Sequence, residues 1–354
     1  MPARTMVDWD LAVSTASRLA GPGPTITRAE AEAAVSELRQ GADQSTALVR
    51  EFTGLEGGEG TAPVLVVDRT GWIQANAEAF EDLVGPLVVK LQARRGAPGP
   101  VTEAVGSKVT GLEVGGLLGF LSSKVLGQFD PFWDDPAGQQ AGRLLLVAPN
   151  IVHAEQQLRV DPRDFRLWVC LHEETHRVQF TAVPWMRDHI HAQIAQLIGG
   201  VDLDPAKMAA MVAEAVRRIG EVVRGNDSVS LLDLLSTPEQ RVVMDRVTGV
   251  MSLLEGHADV VMDGVGPGVI PSVDKIRRKF DERRKGVGYL DRVLRRLLGL
   301  DVKMAQYRDG AAFVRAVVDK VGMDGLNAVW SEPETLPSKA EIGDPGAWVR
   351  RVHG

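Results

Sequence analysis

Two histidines in this chain are spaced so that one metal ion could bind both of them. They are His172 and His176, the ends of the pentapeptide HEETH. Residues four apart lie one above the other on a helix face, so both imidazoles can reach one Zn²⁺ ion. Glu173 lies about 100° around the helix, where its carboxylate can hold and deprotonate a zinc-bound water. The pattern predicts one hydrolytic zinc site per chain; the alternative is a surface helix with two stacked histidines.

A zinc site of this kind needs a third protein ligand. The extended motif that continues with Gly and then His is excluded, because this chain has Gln179 and Ala182 at those positions. The segment EGHAD offers Glu255 and Asp259 on one helix face, so one carboxylate can bind zinc while the other orients a ligand imidazole. His257 points elsewhere on an ideal helix and is an alternative ligand. The acidic pair could also be the solvated edge of an amphipathic helix.

Hydrolysis of an amide also needs a donor that stabilises the oxyanion, often Tyr, His or Arg. The chain has only two tyrosines, Tyr289 and Tyr307. Tyr307, in the segment AQYRDG, is the candidate donor. A core or helix-packing role is the alternative for this side chain.

The elements that must position these residues are mostly helical. Thr27 and Glu30 form a capping box at the start of one helix. Asp161 and Pro162 begin the helix that carries HEETH, which should end before Pro184. The residues STPEQ, from position 236, signal the start of a long amphipathic helix that carries EGHAD. We expect the helices at about 162–182 and 238–263 to pack against each other, and Asp204 to begin a further helix to about Val223.

Two short apolar runs bounded by turn residues predict strands, at Val64–Val67 and Leu144–Val147. The second run could align an extended substrate by strand addition, or it could be a core strand. The segment QFDPFWDDPAGQQ is predicted to be a polar loop, because it is rich in Pro and Asp. The Pro-rich tail from Ser331 to Gly354 is predicted to be extended.

These elements predict an α+β, predominantly helical fold with a small β element. We divide the chain into an N-terminal mainly helical region at 1–140 and a zinc-binding catalytic core at 141–265. A C-terminal helical region with the extended tail follows at 266–354.

Composition narrows the classes of protein. The chain has 354 residues, 44% hydrophobic and 25% charged, which excludes collagen-like, disulfide-stapled and low-complexity proteins. The net charge of −7 disfavours nucleic-acid partners. The basic stretch Asp274–Leu298 is therefore interpreted as solvated helix surface, with an anionic docking patch as the alternative. A single cysteine, Cys170, and no long apolar segment predict a soluble cytoplasmic protein without a membrane partner.

The motifs also carry a family resemblance. HEETH with the distant EGHAD resembles the gluzincin arrangement of thermolysin-like zinc peptidases. The segments VDWDLA, LLLVAPNI, SLLEGHADVVMD and KMAQYRDGAAFV extend a wider similarity over nearly the whole chain. They are similar to actinobacterial zincin-like proteins labelled zinc-dependent metalloproteases or deazaflavin-coenzyme biosynthesis proteins.

The resemblance implies a zincin-like fold and a peptide or other amide substrate. It also implies that His172, His176 and Glu255 are zinc ligands and that Glu173 is the general base. Asp259 would then not bind zinc itself but would orient a side chain that does. The competing hypothesis is a catalytically silent, zinc-stabilised helical scaffold that binds a partner. Such a scaffold would keep the ligands and tolerate the loss of Glu173.

Overall fold

The computed structural model describes residues 6–57, 62–95, 100–135, 141–199, 238–285 and 300–354. The fold is α+β and predominantly helical, as predicted. In chain order its elements are α1 (Trp9–Leu19), α2 (Arg28–Thr53), β1 (Val64–Val67), α3 (Arg69–Arg95), α4 (Pro100–Ser122), β2 (Gly127–Asp134), β3 (Ala141–Val147), α5 (Ala148–Leu158), α6 (Pro162–Ala182), α7 (Met186–Gly199), α8 (Pro238–Val269), α9 (Val273–Lys285), α10 (Leu300–Leu326), α11 (Lys339–Gly343) and α12 (Pro345–His353). Two short 3₁₀ turns, Asn327–Trp330 and Pro333–Thr335, lie between α10 and α11.

The three strands form one sheet in the order β1-β3-β2. β1 runs parallel to β3 and β2 runs antiparallel to it. Both strand predictions, Val64–Val67 and Leu144–Val147, are confirmed. The run Leu144–Val147 lies in the central strand, between β1 and β2. The idea that this run aligns a substrate by strand addition is therefore wrong, because strand addition needs an unpaired edge.

The segment predicted to be a polar loop begins as strand β2 instead. Its pairing with β3 outweighs its turn-forming residues, a tertiary effect that local composition does not reveal. Pro131 is tolerated because β2 borders the sheet and its register is irregular between Asp130 and Asp134. Residues 136–140, the end of the predicted loop, lie outside the described residues.

Helix α6 begins as the sequence predicted. The Asp161 carboxylate accepts a hydrogen bond from the backbone N–H of Asp164 at 3.0 Å, and α6 ends at Ala182, two residues before Pro184. The predicted capping box of Thr27 and Glu30 is also present at the start of α2. The helix predicted from Asp204 lies outside the described residues.

The prediction of an extended C-terminal tail is wrong, because two short helices form there. Ser338 and Glu341 make a reciprocal capping box at the start of α11. The Asp344 side chain caps α12, whose first residue is Pro345. Pro at a first helical position favours helix initiation, because its fixed φ suits the helix and its missing N–H is not needed there.

The chain divides into two compact units. The first comprises Met1–Ala182 and Val261–Glu282, and the second comprises Val183–Val260 and Arg283–Gly354. The division into 1–140, 141–265 and 266–354 stays a prediction. No helix among the described residues is long and apolar enough to span a membrane.

The sheet of the first unit rests on an apolar core. Helices α1, α3 and α4, the residue that ends α1 and strand β3 contribute its buried members, which are Ala16, Ala20, Trp72, Ile73, Ala75, Ala77, Leu118, Leu145 and Val147. In the second unit, helices α8 and α10 cross so closely that a Cβ at Gly256 would collide with the backbone of Gly310. This crossing holds the part of α8 that carries EGHAD.

Candidate metal centre

The motif HEETH lies in the second half of α6, as its spacing predicted. His172 and His176 are half-buried on one face of this helix. Their ring centroids are 4.9 Å apart and the ring planes are nearly perpendicular, at 86°. The two imidazoles are therefore neighbours, as two ligands of one ion must be.

A third side chain joins the two histidines in a group that could hold a metal ion. One ligand atom each from His172, His176 and Glu255 lie within 4.8 Å of one another. Glu255 belongs to α8 and is buried. Two imidazoles with one carboxylate are a known donor set of hydrolytic zinc sites, which keep a further position for water. The chemistry of the donors therefore fits zinc.

The carboxyl group of Glu173 lies against the start of strand β2. A Cβ at Gly127 would stand 2.6 Å from Cγ and 2.9 Å from Oε1 of Glu173, closer than side chains approach. Glu173 is 8% exposed, so this contact leaves its side chain little freedom. A second contact between β2 and α6 joins Phe129 and Phe180, whose ring centroids are 5.3 Å apart. Any side chain at position 127 would therefore displace Glu173.

The sequence analysis missed the partner of one histidine. Nδ1 of His176 lies 2.9 Å from Oε1 of Gln179, and Gln179 is fully buried. The spacing of three residues places both side chains on one helix face. That spacing was the available signal, but the sequence analysis compared Gln179 only with the glycine that the extended motif has at this position.

The opposite face of α6 carries a buried charge pair that the sequence analysis also missed. Nε of Arg177 donates to Oε2 of Glu174 at 2.7 Å, and Thr46 of α2 donates to the same oxygen at 3.0 Å. Arg177 also donates to the carbonyl of Ala62 at 2.7 Å. Burial raises the pKa of Glu174 above its ordinary value, although Arg177 and Thr46 act to lower it.

Cys170 lies on the same face as Glu174 and is fully buried. Its thiol contacts the carbonyl of Leu38 at 3.4 Å. Burial raises the pKa of the thiol. Cys170 is therefore a packing residue of this face.

Two further predicted site residues, Asp259 and His257, do not belong to the metal-capable group. Asp259 accepts a hydrogen bond from Arg315 at 3.1 Å, and its role behind a ligand stays a prediction. His257 is fully buried, with its ring edge-on to Trp330 at a centroid distance of 5.4 Å. Tyr307 belongs to α10, but its side chain lies outside the described part of the structure, as does all of Tyr289.

The chain is similar to a known protein family and to a solved crystal structure. The family described as zincin-like metallopeptidase matches residues 7–349 of the chain. A crystal structure from Chloroflexus aurantiacus, described as "a putative hydrolase with a novel fold", is 33% identical in sequence and has a TM-score of 0.70. That match covers 98% of this chain and 99% of the other chain. Nothing matches among curated proteins.

Proposed function

This chain belongs to the zincin-like metallopeptidase family, and from that premise we propose that it is a zinc-dependent hydrolase of peptide bonds. The observation that carries the proposal is the grouping of His172, His176 and Glu255 within 4.8 Å. Chain segments that are distant in sequence supply the three donors, and their chemistry is that of a hydrolytic zinc site. The family makes a peptide the first substrate to test, with other amides as the wider class.

In this proposal the histidines and Glu255 would hold the ion. Bound zinc supplies a Lewis acid and lowers the pKa of a coordinated water. Glu173 would accept a proton from the attacking water and pass it to the leaving nitrogen. The contact with Gly127 supports this role, because a general base must be held in one place to act in the transition state.

Strand β2 is the better candidate for aligning an extended substrate. Among the described residues, β2 has a partner strand on one side only, which is β3. Its first residue, Gly127, lies beside the carboxyl group of Glu173. A peptide that added to this edge would bind through backbone hydrogen bonds, which do not depend on its sequence. We therefore propose β2 in place of the central strand.

Finer assignments remain part of the proposal. In the gluzincin arrangement, Asp259 would orient a zinc ligand. Tyr307 would donate a hydrogen bond to the oxyanion. The likeness to actinobacterial proteins labelled for deazaflavin-coenzyme biosynthesis also stays a prediction.

The zinc content of purified protein tests the proposal first. We expect about one zinc per chain in the wild type and a sharp reduction in Glu255→Ala, because two histidines alone hold zinc weakly. Glu239→Ala is the matched control, since it removes an exposed carboxylate from the start of the same helix. Its zinc content should equal that of the wild type.

Two results would contradict parts of this assignment. Full zinc content in Glu255→Ala would show that another residue is the third ligand, and His257→Ala would be measured next. A wild-type protein that binds no zinc after reconstitution would overturn the hydrolase proposal as a whole.

A further inference from the structure

Gln179 makes a polar contact beside the proposed metal group that the zinc assignment does not use. Its side-chain oxygen lies 2.9 Å from Nδ1 of His176. The Gln179 side chain is fully buried, whereas the ring of His176 is half-buried. Both residues belong to α6, so the contact is built into one turn of a single helix.

The chemistry of this contact selects one form of the histidine. A neutral imidazole has one N–H and one nitrogen with a free lone pair. An amide oxygen only accepts hydrogen bonds, so Nδ1 of His176 must carry the proton that it donates to Gln179. The lone pair then lies on Nε2, so this nitrogen is the one left to bind a metal ion while Nδ1 donates to Gln179.

We propose that Gln179 is a positioning residue that holds the ring and the tautomer of His176 ready for the metal. The inference rests on the proposed zinc site. A buried amide cannot exchange its partner for bulk water, so the contact restrains the ring before any ion binds. Partners of this kind, on the far side of a ligand imidazole, raise metal affinity by orienting the ligand.

The chain offers a matched control in Thr175. This residue is also fully buried on α6 and beside His176 in sequence, but its hydroxyl donates to the backbone carbonyl of Leu171 at 2.8 Å. Thr175→Val therefore removes a buried polar group from the same helix without touching the histidine contact.

Zinc affinity tests the proposal, measured by competition with a chromophoric chelator. Gln179→Met keeps the length of the side chain and removes the acceptor, and it should lower zinc affinity about 10- to 100-fold. Gln179→Glu keeps an acceptor oxygen and should restore affinity to within a few-fold of the wild type. Thr175→Val should bind zinc as the wild type does. Equal affinity in Gln179→Met and the wild type would overturn the proposal, as would equal losses in Gln179→Met, Gln179→Glu and Thr175→Val.

A second measurement uses zinc-free protein and does not depend on the function proposed above. In ¹⁵N-histidine NMR spectra at about pH 8.5, where imidazole is neutral, we expect His176 in the Nδ1–H form. Its signals are those absent from His176→Ala, and the preference should weaken in Gln179→Met. An Nε2–H form in the wild type would overturn the inference. A wild type that binds no zinc but shows the Nδ1–H form would refute the zinc site. It would still support the restraint of His176 by Gln179.

Discussion

Helix α6 carries polar residues on two opposite faces, and the two faces use them differently. The face toward α2 has Cys170, Glu174 and Arg177, all buried, and its charges are paired within the protein. The opposite face has His172 and His176, which stay half-exposed. One face therefore anchors the helix, and the other carries two donors of the proposed metal site.

The comparison shows how a protein can support a polar site without weakening its core. Burying the Glu174–Arg177 pair costs solvation, which is offset only because Thr46 and the carbonyl of Ala62 supply further hydrogen bonds. This fixes the position of α6 in the first unit. Glu173 lies between the two faces and is held by the backbone of β2 at Gly127.

The largest expected effect is the loss of catalysis in Glu173→Gln. Glutamine cannot take up a proton, so hydrolysis of a fluorogenic peptide library should fall about 10³-fold. Zinc content and the midpoint of urea unfolding should stay close to wild type, because the amide has the same shape. If the variant hydrolyses as fast as the wild type while zinc stays bound, the zinc-stabilised scaffold is the better description.

The next effect tests the anchoring face. Glu174→Ala leaves the guanidinium of Arg177 buried without its carboxylate, and we expect the free energy of unfolding to fall by about 3–5 kcal/mol. Urea denaturation measures this change. The exposed pair of Arg28 and Glu32 is the control, and Glu32→Ala should cost less than about 1 kcal/mol. If the free energy of unfolding of Glu174→Ala fell by no more than that of Glu32→Ala, the buried pair would not anchor α6.

Gly127→Ala should change the position of the general base, Glu173, without changing zinc binding. The new methyl group would displace the Glu173 side chain by a distance on the order of 1 Å, enough to slow hydrolysis about 10²-fold. Zinc content should not change, since Gly127 does not belong to the metal-capable group. Gly106→Ala is the control, because a Cβ at that helical position meets open space. Unchanged activity in Gly127→Ala would show that Glu173 does not depend on this contact.

The smallest effect concerns the reactivity of Cys170. Burial raises the pKa of this thiol and keeps reagents away from it, so native protein should not react with a chromogenic disulfide reagent. The same protein in urea should react completely. Rapid reaction of the native protein would show that the face toward α2 opens in solution.

Much of the fold followed from local signals. The caps at Asp161 and Thr27 act over three residues, and the apolar runs of β1 and β3 are bounded by turn residues, so all four were predicted correctly. Strand β2 was missed because its pairing with β3 overrides its composition. The helices of the tail were missed because prolines outweighed the caps at Ser338 and Asp344 in our interpretation.

The sequence by itself determined that two histidines lie on one face of a helix, which is the basis of the proposed zinc site. The spacing of His172 and His176 is a property of helical periodicity, which needs no tertiary contact. Only the tertiary structure decided that Glu174 is an anchor, through its contact with Thr46, and that Gly127 lies against Glu173. Those roles depend on contacts between residues 46 to 128 positions apart, and local sequence patterns report only near neighbours.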